Sequence, residues 1–120
     1  MKRNHKRNYR GSCHCGDVKF EVCLELDHVR VCDCSICRKR GALNYRVEDI
    51  DLKILTPLED LSVYRWHTMT ATDYFCPRCG ILPFRHPRTA PELWTVNLRC
   101  LDDVDLAEVP IKHVEGSRLD

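Results

Sequence analysis

The apolar pattern is sharpest between residues 18 and 24. Val18, Phe20, Val22 and Leu24 fall on one side of the alternation, and Lys19, Glu21 and Cys23 on the other. A repeat of two puts alternate side chains on opposite faces of an extended chain, so a half-buried strand is predicted here. Shorter apolar stretches at 43–47, 52–55, 61–67, 93–98 and 111–114 predict further strands. Thr56-Pro57 and Glu59-Asp60 mark a turn before the third of these. Gly11–Gly16 and Cys76–Gly80 read as tight turns, the second entered from Thr72–Phe75. Pro83, Pro87 and Pro91 make their stretch irregular, and residues 101–107 suggest a turn or short helix. Residues 34–40 have room for one or two helical turns, stopped by Gly41. Many short strands with little helical periodicity predict a mainly β domain. No internal repeat or low-complexity segment interrupts it.

A chain of 120 residues is expected to form one domain with a modest core. Charged residues make up 31%, the mean hydropathy is −0.40 and the formal net charge is +1. That balance argues against nucleic acid or an acidic membrane as a partner. No apolar run approaches the roughly 20 residues of a membrane span. Lys2, Arg3, His5, Lys6, Arg7 and Arg10 crowd the first ten residues. With no apolar stretch among them they do not form a secretory signal, and a cytoplasmic location is expected. Residues 1–8 read as a flexible basic tail, 9–115 as the domain and 116–120 as a C-terminal tail.

Cysteine chemistry changes this picture most. Nine cysteines in a chain without an export signal point to a reducing compartment, where disulfides are rare and metal ligation explains short spacings. Seven of them form three clusters: Cys13 and Cys15; Cys32, Cys34 and Cys37; and Cys76 and Cys79. Zinc takes four ligands in a tetrahedron. Gly16 and Gly80 follow two of the clusters and permit the left-handed backbone that such turns need. Seven ligands divide naturally into a closed four-cysteine site (Cys13, Cys15, Cys76, Cys79) and a three-cysteine site (Cys32, Cys34, Cys37) with one position free. Three protein ligands plus water or substrate is the pattern of catalytic zinc. His14, His28, His67 or Cys100 could instead fill that fourth position and make the site structural. Iron suits four thiolates as well as zinc does.

Cys23 and Cys100 stand alone and read as small buried apolar side chains. Trp66, Trp94, Phe75, Phe84, Tyr45 and Tyr64 read as core, with one or two of them free to line the mouth of an open site. Arg38, Lys39 and Arg40 follow the three-cysteine cluster directly and could offset its negative charge or attract an anionic thiol.

Four segments, in this order, resemble the glutathione-dependent formaldehyde-activating enzyme family, which includes centromere protein V. They are Gly11-Ser-Cys-His-Cys-Gly16, Cys32-Asp-Cys-Ser-Ile-Cys-Arg-Lys39, Phe75-Cys-Pro-Arg-Cys-Gly80 and Val96-Asn-Leu-Arg-Cys-Leu-Asp-Asp103. The resemblance runs from about Tyr9 to His113. It implies a β-tent-like fold of small antiparallel sheets pinned by zinc, with two zinc ions per chain. It implies that Cys13, Cys15, Cys76 and Cys79 hold a structural zinc and Cys32, Cys34 and Cys37 a catalytic one. The implied activity is that of S-(hydroxymethyl)glutathione synthase, a carbon–sulfur lyase. Its partners would be a thiol such as glutathione and a small aldehyde such as formaldehyde. A zinc-stabilised module that binds protein or nucleic acid without catalysis is the competing expectation, and metal storage or redox sensing a third.

Overall fold

The computed structural model describes residues 6–115. Its first strand, β1 (Arg7–Ser12), pairs antiparallel with β2 (Lys19–Leu24), which pairs with β5 (Leu52–Ile54). These three strands form one sheet in the order β1-β2-β5. The second sheet contains β3 (Val29–Cys32), β4 (Asn44–Val47), β6 (Ser62–Tyr64), β7 (Thr72–Phe75), β8 (Phe84–His86), β9 (Trp94–Asn97) and β10 (Ile111–Val114). Its order is β10-β3-β4-β9-β8-β7-β6. All its neighbours are antiparallel except β10, which runs parallel to β3 with Val114 beside Cys32. A six-residue helix, α1 (Ser35–Arg40), follows β3. The fold is therefore mainly β, as the pattern predicts.

Strand β2 shows why the sheets stack. Phe20, Val22 and Leu24 are buried on its inner face, while Lys19 on the outer face is exposed. Phe20 meets Phe84 of the larger sheet edge to face, with ring centroids 5.7 Å apart. Phe84 meets Trp94 in the same way at 5.6 Å. Aromatic pairs in this arrangement gain about 0.5–1.5 kcal/mol beyond their area burial. Val18, Val96 and Leu98 complete this core between the sheets. Gly11 lies opposite Phe20 in the β1–β2 register. A Cβ at Gly11 would stand 2.1 Å from the Phe20 ring, so only glycine lets the ring lie across β1.

Several elements depart from the sequence pattern. β1 starts at Arg7, inside the stretch expected to be a basic tail, because Arg7 and Asn8 pair with Leu24 and Cys23 through backbone that needs no apolar side chain. Lys6 is tied down as well, its ammonium 3.0 Å from Asp51. Residues 1–5 and the expected C-terminal tail 116–120 lie outside the described residues. Strand β8 occupies part of the stretch expected to be irregular: Pro83 precedes it and Pro87 follows it, so neither proline removes a donor from its ladder. Residues 101–107 hold turns, the first of the two forms expected there. Tyr64 is exposed on the edge strand β6 and is not core.

Candidate metal centres

Two loops of one design build the first cluster. At the tip of the β1–β2 hairpin, the Cys13 N–H donates to the Val18 carbonyl and the Gly16 N–H returns to the Cys13 carbonyl. After β7, the Cys76 N–H donates to the Ile81 carbonyl and the Gly80 N–H returns to the Cys76 carbonyl. Gly16 and Gly80 have φ values of 85° and 80°, a region that strains any residue with a Cβ. Each loop turns its two sulfurs to the same point. The Cys15 Sγ stands 3.7 Å from Cys13 Sγ and 3.6 Å from Cys76 Sγ. All four sulfurs, that of Cys79 included, lie within 4.8 Å of one another.

These spacings suit a metal. Four sulfurs about 2.3 Å from one ion at tetrahedral angles stand about 3.8 Å apart. A disulfide would bring two of them to about 2.0 Å, and all nine cysteines are free thiols. Burial opposes a charge on Cys79, but backbone N–H groups of Ile81 and Cys15 and the Cys76 and Cys13 thiols bring it down to about 6. Another donor, the Val18 N–H, lies 3.3 Å from Cys13 Sγ. The cluster joins a hairpin of the smaller sheet to a connection in the larger one, so an ion there would fasten the two sheets together.

The second cluster sits where β3 runs into α1. Cys34 is the N-cap of the helix, and its sulfur accepts from the Cys37 N–H at 3.4 Å. Helix geometry therefore holds these two sulfurs on one side, and β3 delivers Cys32 beside them. The three lie within 4.8 Å of one another. Burial first, and then the neighbouring thiols, pushes Cys37 up to about 12, against which the Arg85 charge pulls. Burial also raises Cys34, but the N–H groups and thiols around it outweigh that and leave it below the ordinary thiol value.

No histidine or carboxylate joins the three sulfurs as a fourth close ligand among the described residues. The His28 ring is 2.8 Å from Asp27 and packs at a tilt against Tyr45. His14 is exposed. Cys100 is buried by the first cluster, where burial and the charges of Cys13 and Cys79 push it up to about 12. Cys23 is only half-buried. His67 faces the same cavity as Cys32 and Cys34.

That cavity, about 270 Å³, opens beside the three sulfurs. Cys32 and Cys34 line it together with Arg30, Arg46, Arg85 and Trp66. A smaller recess of about 70 Å³ adds Cys37, Asn44 and Thr95. Strand register explains the arginines. Arg46 of β4 and Arg85 of β8 both pair with Thr95 of β9, and Arg85 pairs with Asp73 of β7. Arg46, Thr95, Arg85 and Asp73 thus form one row on the face opposite Phe84 and Val96. Burial lowers Arg46 below the ordinary guanidinium value, and the charges of Arg30 and Arg85 add to this.

The sequence suggests Arg38, Lys39 and Arg40 as the balancing cations. Arg38 and Lys39 are exposed, and Arg40 turns inward to Asp73 at 3.0 Å. The cavity's arginines come from separate strands. Their signal was the alternation in Val29-Arg30-Val31-Cys32 and Phe84-Arg85-His86, which sets Arg30 on the same face as Cys32 and Arg85 opposite the core.

A family model described as "Glutathione-dependent formaldehyde-activating enzyme" matches residues 8–114. A Halomonas elongata protein named "Putative glutathione-dependent formaldehyde-activating enzyme" is 36% identical over 79 residues, or 58% of this chain and 50% of that protein. The match thus spans half the length of that relative. The crystal structure of a Rhodobacter sphaeroides protein is similar with a TM-score of 0.77 and 40% identity, covering 86% of this chain and 99% of the other. No helix among the described residues is long and apolar enough to cross a membrane. From its matched residues, its cysteine clusters and its sheets, the chain belongs to the glutathione-dependent formaldehyde-activating enzyme family.

Proposed function

We propose that the protein is a cytoplasmic zinc enzyme that joins a thiol to a small aldehyde such as formaldehyde, or splits the adduct, at Cys32, Cys34 and Cys37. One observation carries this: three sulfurs with no fourth close ligand border a cavity with room for a small molecule. The family description and the name of the Halomonas relative supply the aldehyde and suggest glutathione as the thiol. Cys13, Cys15, Cys76 and Cys79 would hold a second, structural zinc.

Zinc at the three-cysteine site would supply a position where a substrate thiol loses its proton and an aldehyde oxygen is polarised. The protein's own groups do the rest. Arg85, held from behind by Asp73, balances negative charge beside Cys37. Arg30 and Arg46 present further guanidinium groups to the bound thiol, and Trp66 shields one wall from water. The addition forms one sulfur–carbon bond and opens the carbonyl π bond. The thiol proton ends on the former carbonyl oxygen, so no electrons are exchanged with a further reagent. The reverse reaction is a carbon–sulfur lyase step. A binding module without catalysis needs no cavity at an incomplete cluster, and the cavity favours the enzyme.

The test combines metal counting with proton NMR exchange between formaldehyde, thiol and adduct. Two zinc ions per chain are expected, with exchange accelerated by the protein. Cys37→Ser should keep one zinc and lose the acceleration. A Cys37→Ser protein as fast as the wild type would remove the catalytic role.

A further inference from the structure

We infer that the cavity beside Cys32, Cys34 and Cys37 selects a thiol bearing at least two anionic groups and no ammonium group, read by Arg30, Arg46 and Arg85. This rests on the proposed reaction and names the thiol class it would take.

The lining carries the inference. Arg30, Arg46, Arg85 and Arg88 line the larger cavity, and the first three line the recess as well. Among the described residues, neither lining contains an aspartate or glutamate. Arg88 has an interaction of its own and is left aside. The nearest acid along the sheet row, Asp73, has both oxygens engaged, one by Arg85 and one by Arg40. Three guanidinium groups therefore face a common space without a lining carboxylate between them. Like charges at this range repel, and an anion placed among them relieves the repulsion.

The charge balance indicates how many anionic groups fit. A divalent ion on three thiolates carries a net charge of minus one. Asp73 and Arg40 cancel. Glu92 acts on Arg46 from outside the lining and is set against the charge of Arg88, so three guanidinium groups beside that site leave a surplus of two positive charges, which two carboxylates or phosphates would match. The guanidinium fork suits the planar, two-oxygen face of a carboxylate. An ammonium group would meet cations and find no carboxylate in the lining. Trp66, Ile36, Pro87 and Val114 give the carbon skeleton an apolar wall. A zwitterionic thiol such as glutathione is then a poorer fit than a purely anionic one.

Two measurements on the zinc-loaded full chain test this. The first is calorimetric binding of thiol-free probes, succinate and aspartate, which differ by one ammonium group. Succinate should bind about tenfold tighter, and raising the salt should weaken it. Arg46→Gln should weaken succinate about tenfold to a hundredfold, while Arg46→Lys keeps part of the affinity and reports that the fold is intact. Equal binding of the two probes, or an Arg46→Gln protein that binds succinate as the wild type does, overturns the inference.

The second measurement compares adduct exchange with mercaptosuccinate, glutathione and 2-mercaptoethanol. Mercaptosuccinate should be fastest. If 2-mercaptoethanol or glutathione exchanges equally well, the selection is wrong while the reaction stands. If mercaptosuccinate binds through the arginines and no thiol is accelerated, the selection stands while the reaction falls.

Discussion

Asp73 is fully buried, and one of its oxygens accepts a hydrogen bond from Arg85 Nε. The other oxygen takes Arg40 Nη2 at 3.0 Å. One carboxylate thus links the helix that carries Cys37 to the strand whose arginine faces the cavity. A second Arg40 nitrogen, Nη1, is buried with no partner among the described residues, so Nη1 offers no replacement contact if Asp73 is lost. Asp73→Asn leaves two inward guanidinium groups without a counter-charge. Breaking a buried pair in this way costs about 3–5 kcal/mol. Urea unfolding of the zinc-loaded protein should show a loss of that order, and a loss under about 1 kcal/mol would mean the ion triad is not held.

The two clusters should respond differently to loss of a ligand. Cys76 is wholly buried and belongs to the group that joins the sheets. Structural zinc in small domains contributes about 10–16 kcal/mol near neutral pH, as much as a whole domain's stability. Cys76→Ser is therefore expected to be insoluble or to elute as an unfolded chain. Cys37→Ser should remain folded with a single ion. Metal content and size-exclusion chromatography decide the matter, and a cooperatively folded Cys76→Ser protein of full stability would contradict it.

Two glycines should be sensitive for separate reasons. At Gly11 a methyl group runs into the Phe20 ring, with its nearest atom 2.1 Å away. Overpacking of this kind costs about 1–3 kcal/mol or more. Gly80 has nothing within 4 Å of the added carbon, and its cost comes from φ alone. For a left-handed residue that is about 1–2 kcal/mol. Phe20→Leu should therefore recover part of the Gly11→Ala loss and none of the Gly80→Ala loss, as thermal unfolding of the wild type, the three single variants and the two double variants would show.

Phe84 is the hinge of the aromatic core, touching Phe20, Trp94 and Tyr74 while having no exposed surface. Phe84→Ala should cost about 3–5 kcal/mol. Near-ultraviolet circular dichroism should weaken with it, since the Trp94 and Tyr74 environments loosen together. An unchanged signal would show that the rings are ordered independently.

Local pattern revealed what local forces decide. The alternation at Val18–Leu24 predicted the buried face of β2, and the short apolar run at Ile111–Val114 predicted β10. Helix α1 followed from its spacing and from Gly41. Strand β1 was hidden because its pairing is a backbone matter and its side chains are mostly polar and exposed. Strand β8 was hidden because only Phe84 among its three residues is apolar, and prolines flank it. The grouping of cysteines was legible from chemistry, since sulfurs at short spacing that form no disulfide have few other uses. The arginine row was not legible. Arg30, Arg46 and Arg85 become neighbours only through sheet order, which no local window contains. Arg40 looked like a site residue by proximity in sequence, but Asp73 claims it.

The parallel neighbour of β3 has a consequence for how the protein is made. β3 carries Cys32, and the edge of β3 beyond β4 is covered only when residues 111–114 arrive. On a chain that grows from its N-terminus, every other strand among the described residues is synthesised before that edge is covered. Contacts so distant in sequence form slowly. For that interval the sulfurs of Cys32, Cys34 and Cys37 lie next to an unfinished sheet, open to oxidants and to thiophilic ions that bind more tightly than zinc. Strand β10, made after every other strand among the described residues, therefore sets how long the newborn chain must keep its three thiols reduced and unclaimed.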